Sequence, residues 1–346
     1  MNYKIDNEYM LSVMEEILNI PSPVGFCDDV LKRLEAYAQE FGYSMTYDNK
    51  STGYITIEGE DNSKCVAIAA HVDTLGMMVK SINEDGTIKM VNLGGVNYHS
   101  LEGETVTVHT RDGQSYDGLV CCKYHSVHIF DEAKVAERNE ANMILVLDEV
   151  VRNKQDVLDL GIMSGDHISV KPRFEYTKSG YIKSRFIDDK ACVANIFGLL
   201  KALKDNNLKP KYKTMLVFPQ YEEIGHGGAY VPEEVSEYLA VDIGLVGPDL
   251  NGDEFSVSIC AKDAHGPYDR KLTTRLVNQA KKAECDFHVD VFYRYGTDGA
   301  AANRGGNNLA AAAMGPGTFC THGMERTHIK AIENTTKLLL AYALDL

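Results

Sequence analysis

Four short runs of this chain are apolar almost without interruption: "CVAIAA" (65–70), "TMLVF" (214–218), "LAVDIGLVG" (239–247) and "LAAAAMG" (309–315). A strand with one wet face alternates apolar and polar residues, so a short unbroken run marks a strand buried on both faces. Such strands must be covered above and below, and helical patterns lie between them. From Asp189 to Lys204, Val193, Phe197 and Leu200 share one helical face. Tyr9, Val13, Ile17 and Ile20 form another stripe, which "PSPVG" ends, and a second helix is expected from Asp28 to Phe41, stopping at Gly42. Buried strands alternating with amphipathic helices predict an α/β fold, a mixed sheet sandwiched by helices.

The stretch 74–165 breaks this alternation. "MMVKSINEDGTIKMVNL" reads as two strands about an Asp85-Gly86 turn, and "ETVTVHTRDGQSYDGLV" repeats the idea around Asp112-Gly113. We expect an inserted, barrel-like β domain over 74–165, interrupting an α/β catalytic domain made of 1–73 and 166–346.

A formal net charge of −15 sets aside a nucleic-acid or anionic-membrane surface. No apolar run approaches the ~18 residues of a membrane span. The opening "MNYKIDNEYMLSVMEEIL" carries acids where a secretory signal needs an apolar core. The eight cysteines include no Cys-x-x-Cys pair, and the adjacent Cys121 and Cys122 suit neither an ordinary disulfide nor a zinc knuckle. They read as free thiols in a reducing cytoplasm.

Chemistry gathers where the apolar runs end. "CVAIAA" leads into "HVD", giving His71 and Asp73, and "TMLVF" leads into "PQYEE", giving Glu222 and Glu223. Asp242 lies within the third run, and the fourth leads through "PGTFCTH" to His322. "SRFIDDKA" sets Asp188 and Asp189 at a helix start. Ligands of open α/β sheets bind beyond the carboxyl ends of strands, so four strands would deliver His, Asp and Glu to one rim. That donor set suits two divalent ions sharing a carboxylate and a water. It also explains why two glutamates stand side by side: Glu223 can ligate while Glu222 handles the water's proton.

The motifs "AHVDTLGMMV", "SRFIDDKA", "EEIGHGGA", "LAVDIG", "YGTDGAA" and "THGMERTH", in this order over most of the chain, resemble the tetrahedral aminopeptidases, the family of glutamyl and deblocking aminopeptidases with dinuclear metal sites. The resemblance implies a zinc-peptidase type of sheet. It implies His71 and Asp242 as terminal ligands, His322 and Glu223 completing the two shells, and Asp188 as the bridge. Asp73 would orient His71, and Glu222 would be the general base and later the acid. The metals would be zinc first, with cobalt or manganese as alternatives. The implied activity is release of amino-terminal residues from short peptides by a homo-oligomer, a dodecamer or otherwise a dimer built through the insertion. Thr321-His322-Gly323 departs from the family's usual ending, a histidine and a serine after an aromatic. The region after "GTD" is also richer in Gly, Ala and Asn, and both departures bear on the substrate pocket.

Other residues have plainer readings. Asp189 is taken as a cap or support for the helix start, and Asp298 as site support. His99, His109, His125, His128 and His167 fall in or near the insertion as ordinary histidines, with His125 and His128 on opposite sides of a strand. His226 and His265 are loop histidines, and His328 opens the last helix. Two rival functions remain: hydrolysis of another amide, such as an acyl-amino acid or dipeptide amide, and a metal-free scaffold that keeps the fold.

Overall fold

The structure, a computed structural model, describes residues 3–346. Its described residues build a ten-stranded sheet, a closed six-stranded barrel and a three-stranded sheet. The four apolar runs become the parallel centre of the large sheet. Asp61–Ala69 pairs in parallel with Tyr212–Phe218 on one side and Val235–Val241 on the other, and Val235–Val241 pairs in parallel with Ala310–Thr318. Antiparallel strands flank this centre: Gly53–Ile57 and Met45–Tyr47 at one edge, Val257–Asp263 at the other.

Alternate residues of the centre enter different cores. Ile68, Leu216, Leu239 and Val241 pack with helices Asn7–Leu18, Asp28–Glu40, Ile187–Asp205, Arg270–Lys282 and Ile329–Ala343. Ala67, Ala69, Met215, Val217, Tyr238 and Ala240 pack on the other side, where the short helix Asp298–Arg304 supplies Ala302 and the adjoining loop supplies Val231. Both faces are covered, as continuous apolar runs require, but unequally: the long helices share one side. Ile68, Leu216 and Leu239 are fully buried, so trimming any one to alanine costs about 2–5 kcal/mol. The second helix ends as expected, with Phe41 capping and Gly42 at φ 83°. The first ends at Leu18, leaving Ile20 beyond it.

The barrel runs Gly76–Ile82, Ile88–Leu93, Met143–Leu147, Ser115–Cys122, Thr105–His109 and His167–Val170, which closes on the first strand. Met77, Val79, Ile88, Val106, Val108, Val120, Leu145 and Ile168 fill it. The closing strand lies past the expected boundary at 165, because four residues are too few to show an alternation. His125 and His128 do not flank a strand; they lie in the turns after Ser115–Cys122, where the His125 ring meets Phe130. Among the described residues no helix is long and apolar enough to cross a membrane.

Candidate metal centre

The four central strands run the same way, so their ends deliver side chains to one edge. His71 and Asp73 follow Asp61–Ala69, the Glu222–Ile224 turn follows Tyr212–Phe218, Asp242 follows Val235–Val241 and His322 follows Ala310–Thr318. Asp188 arrives from the start of helix Ile187–Asp205, where Asp188 and Asp189 are not yet helical.

There His71 Nε2 lies 3.2 Å from Asp188 Oδ1, while His322 Nε2 lies 3.7 Å from Asp188 Oδ2 and 3.7 Å from Glu223 Oε2. Asp188 thus turns one oxygen to each imidazole. Two groups of ligand-bearing residues result, with ligand atoms inside each no more than 4.8 Å apart: His71, Asp188, Asp189 and Asp242, and then Asp188, Glu223 and His322. Asp188 belongs to both. Glu222 belongs to neither, and its Oε2 stands 3.8 Å from His71 Nε2.

Backbone contacts fix this geometry. His71 Nδ1 faces the Asp73 carbonyl at 2.9 Å, which turns Nε2 toward Asp188. The Asp73 carboxylate accepts the backbone N–H groups of Glu222 and Glu223 at 3.2 and 3.1 Å, so it fixes the glutamate turn as well as facing His71. Asp189 does not cap the helix; its Oδ2 accepts the N–H of His71 at 3.2 Å. His322, held at φ 62°, faces the carbonyl of Gly95 with Nδ1 at 2.9 Å, so the bend that follows barrel strand Ile88–Leu93 orients this imidazole. A Cβ on Gly95 would lie 2.9 Å from that nitrogen.

Burial and crowding push the carboxyls above their ordinary range. Burial raises Glu222 and Glu223, and neighbouring carboxylates add to it, Asp242 against Glu222 and Asp188 against Glu223. Burial, then Asp188, pushes Asp242 up to about 8, and burial, then Asp242, pushes Asp189 well up. Against its burial, Asp188 is held low by His71, and His71 is held high by Asp188 and Asp73. Oδ1 of Asp242 and Oδ1 of Asp189 are buried without a hydrogen-bond partner among the described residues. Buried carboxylates crowded beside two imidazoles, with oxygens left over, are a donor set that fits divalent cations.

Sequence reasoning missed Glu325. It lies on Glu325–His328, paired with Tyr181–Ser184 of the small sheet, and accepts the N–H groups of Asp188 and His322, each at 3.0 Å. Nothing in "MERTH" sets this glutamate apart; its role arises only when the hairpin meets the helix start. Asp298 is buried and accepts the N–H of Gly228 at 2.5 Å, securing the loop after the glutamate pair. His226 is exposed and stacks on Tyr221 at 5.0 Å, His328 caps the last helix through Lys330 N at 3.1 Å, and His265 lines the cleft over the site. That cleft holds about 440 Å³ and is bounded by Asp188, Glu222, Glu223, Asp242, Arg294 and Arg304 among others.

Known proteins carry the same arrangement of chain. The M42 glutamyl aminopeptidase family model matches residues 52–338. YhfE of Bacillus subtilis (strain 168), which carries an aminopeptidase name, is 40% identical over 333 residues, covering 96% of each chain. The TET aminopeptidase of Thaumarchaeota archaeon SCGC AB-539-E09 matches with a TM-score of 0.88 at 19% identity, covering 98% of this chain and 97% of its own. The TET1 peptidase of Pyrococcus horikoshii, described as able to assemble into a tetrahedron or a large octahedral shell, matches at 0.84 and 21% identity over 97% of this chain and 100% of its own. The structural matches establish the fold, and the family model and the YhfE identity establish kinship. The chain therefore belongs to the M42 glutamyl aminopeptidase family and is a peptide hydrolase of the aminopeptidase class.

Proposed function

We propose that this protein is a dinuclear metallo-aminopeptidase that releases residues one at a time from the free amino end of short peptides. The membership of Asp188 in both ligand groups carries the reading. His71 and Asp242 on one side, and His322 and Glu223 on the other, would hold two divalent ions with Asp188 between them. Zinc comes first for this donor set, with cobalt or manganese as alternatives. Bound there, the ions would polarise the scissile carbonyl and acidify a water molecule.

The chain's own groups do the rest. Glu222, half-buried and raised above the usual carboxylate range, accepts the proton of the attacking water and passes it to the leaving amine. Asp73 holds both glutamates by their backbone and orients His71. Glu325 ties Asp188 to His322, so bridge and terminal ligand keep their separation. The substrate's α-ammonium group binds against the acidic wall of the cleft.

Closed assembly accompanies this activity in our reading, as a dodecamer or, failing that, a dimer. The assembly described for the TET1 relative supports it, as do the exposed Val127, Ile129 and Val135 of the insertion, 59, 68 and 79% accessible. The free cysteines fit a cytoplasmic setting. The test is hydrolysis of matched free and amino-blocked peptides by protein loaded with zinc, cobalt or manganese. Free peptides should be cleaved and blocked ones spared; preference for the blocked series would overturn the reading. Light scattering checks the assembly, and a fully active monomer would refute it.

A further inference from the structure

Among the described residues two lysine or arginine residues are buried, Arg185 and Lys190. Arg185 rests on Glu104 at 3.1 Å. Lys190, 1% exposed, rests on no carboxylate among the described residues. Its Nζ donates to the carbonyls of Ile17 and Ile20, at 2.8 and 2.6 Å, at and just beyond the end of helix Asn7–Leu18. An ammonium has three N–H groups, so one is left over. A buried charge without a counter-charge is costly, and carbonyl dipoles offset only part of that cost. Lys190 lines a cavity of about 160 Å³ between this helix end, the barrel strands Thr105–His109 and His167–Val170, and the start of helix Ile187–Asp205. Asn19, Pro21 and Lys171 on its lining are exposed, so solutes reach it from outside. No Asp or Glu lines it, although the chain has a net charge of −15. Its charged groups are Lys190 at the floor and Lys171 at the mouth, the latter 3.3 Å from Asp117, which lies outside the lining.

From this placement we infer that the cavity is a binding site for a small oxoanion, held between Lys190 and Lys171 at the junction of the barrel and the catalytic domain. The hydroxyls of Ser22, Thr74 and Thr107 donate to Val72 O, Leu75 O and Asp117 Oδ1, so they turn lone pairs, not hydrogens, to a ligand. The lysines are then the donors and the hydroxyl oxygens the acceptors. That pattern suits an oxoanion that also carries hydrogens to give. Two sources share this chemistry: hydrogen phosphate, and the zwitterion of a free amino acid. A water takes about 30 Å³ of liquid, so the space exceeds what one bridging water fills and admits either. The site is separate from the reaction cleft, with which it shares no lining residue. It backs onto the metal centre all the same, because Thr74 follows Asp73 directly and Lys190 lies two residues after Asp188. A bound anion would therefore touch the segments that carry the centre without entering the path of the substrate.

Calorimetric titration of the metal-loaded protein with inorganic phosphate and with alanine, at ionic strength matched by chloride, reads the site. Either probe also reaches the metal centre, so the deciding quantity is the binding that the variants lose. Lys190→Met keeps the length of the stem and removes the ammonium. It should weaken binding about tenfold or more, the scale of one charge-assisted hydrogen bond. Lys171→Ser, at the exposed mouth and away from the metal ligands, should weaken it about threefold, as an exposed charge does. Losses in both variants for phosphate alone assign the inorganic anion, and for alanine alone the amino acid. Losses for both probes show that the two compete for one site. No binding of either probe to the wild-type protein would overturn the site. So would wild-type affinity for both probes in either variant; an effect confined to Lys190→Met would trace to the nearby metal centre. Should Lys190→Met not fold, Lys171→Ser decides alone. The titration involves no turnover, so it settles the site whether or not peptides are cleaved.

Discussion

Glu325→Gln tests whether the metal centre depends on a residue that touches neither proposed reactant nor proposed ion. Glutamine keeps the size of Glu325 but not its acceptor symmetry. The two carboxylate oxygens now accept separate N–H groups, from His322 to Oε1 and from Asp188 to Oε2. In glutamine one of those positions becomes an NH₂ that faces a donor. One hydrogen bond is lost and a buried N–H is left unpaired, about 1.5–3 kcal/mol together. At 1.4 kcal/mol per decade this corresponds to roughly 10–100-fold, the range by which groups behind metal ligands tune affinity. Calorimetric titration of the metal-free variant with zinc reads it directly. Affinity should fall by about that factor, and the zinc-induced rise in Tm should shrink, with the fold intact by circular dichroism. Wild-type affinity together with a wild-type zinc-induced Tm shift would refute the claim that Glu325 holds Asp188 and His322 in place.

The paired glutamates should separate: Glu222→Gln keeps its metals and loses turnover by about 10²–10⁴-fold, whereas Glu223→Gln loses metal, and the opposite pattern in metal analysis would reverse the roles. Asp188→Ala should disturb both ions, while His71→Ala and His322→Ala each chiefly disturb one; two unperturbed sites in a titration of Asp188→Ala would exclude the bridge. Gly95→Ala, by placing Cβ 2.9 Å from His322 Nδ1, should weaken one ion about tenfold from the bend after Ile88–Leu93, and two wild-type affinities would show that the ring simply moves aside. In chelated protein, Asp242 is pushed up to about 8 and Asp298, by burial, to about 7, while both titrate near 3.9 when unfolded. The folded state then binds more protons than the unfolded one, so stability is greatest at low pH and is lost between about pH 4 and 8. A Tm in chelator that rises from about pH 5 to pH 8 would contradict this.

The central strands were legible because burial on both faces removes the polar punctuation that other strands keep. Their ends then pointed to His71, Asp73, Glu222, Glu223, Asp242 and His322 without any knowledge of the fold. Glu325 was illegible because its partners are backbone N–H groups at 188 and 322, and no side-chain pattern records a backbone acceptor. Gly95 was hidden for the same reason, and the contact it makes joins two domains. His125 and His128 misled in a smaller way: a strand was assumed to continue past Cys122, where the chain in fact turns.

The unequal covering of the sheet divides the molecule into a foundation and a frontage. Five long helices lock one face, and any change there must be matched by its neighbours in a close-packed core. The opposite face is covered by the short helix Asp298–Arg304 and adjoining loops, and Arg304 stands on its last turn with its side chain exposed. Its exposed residues, Arg304 among them, can be exchanged at little cost to folding, while the ligands beneath stay anchored to strand ends. Substrate preference can therefore drift within such a lineage without any re-engineering of the chemistry, and a designer wishing to retarget this peptidase should work on the frontage alone.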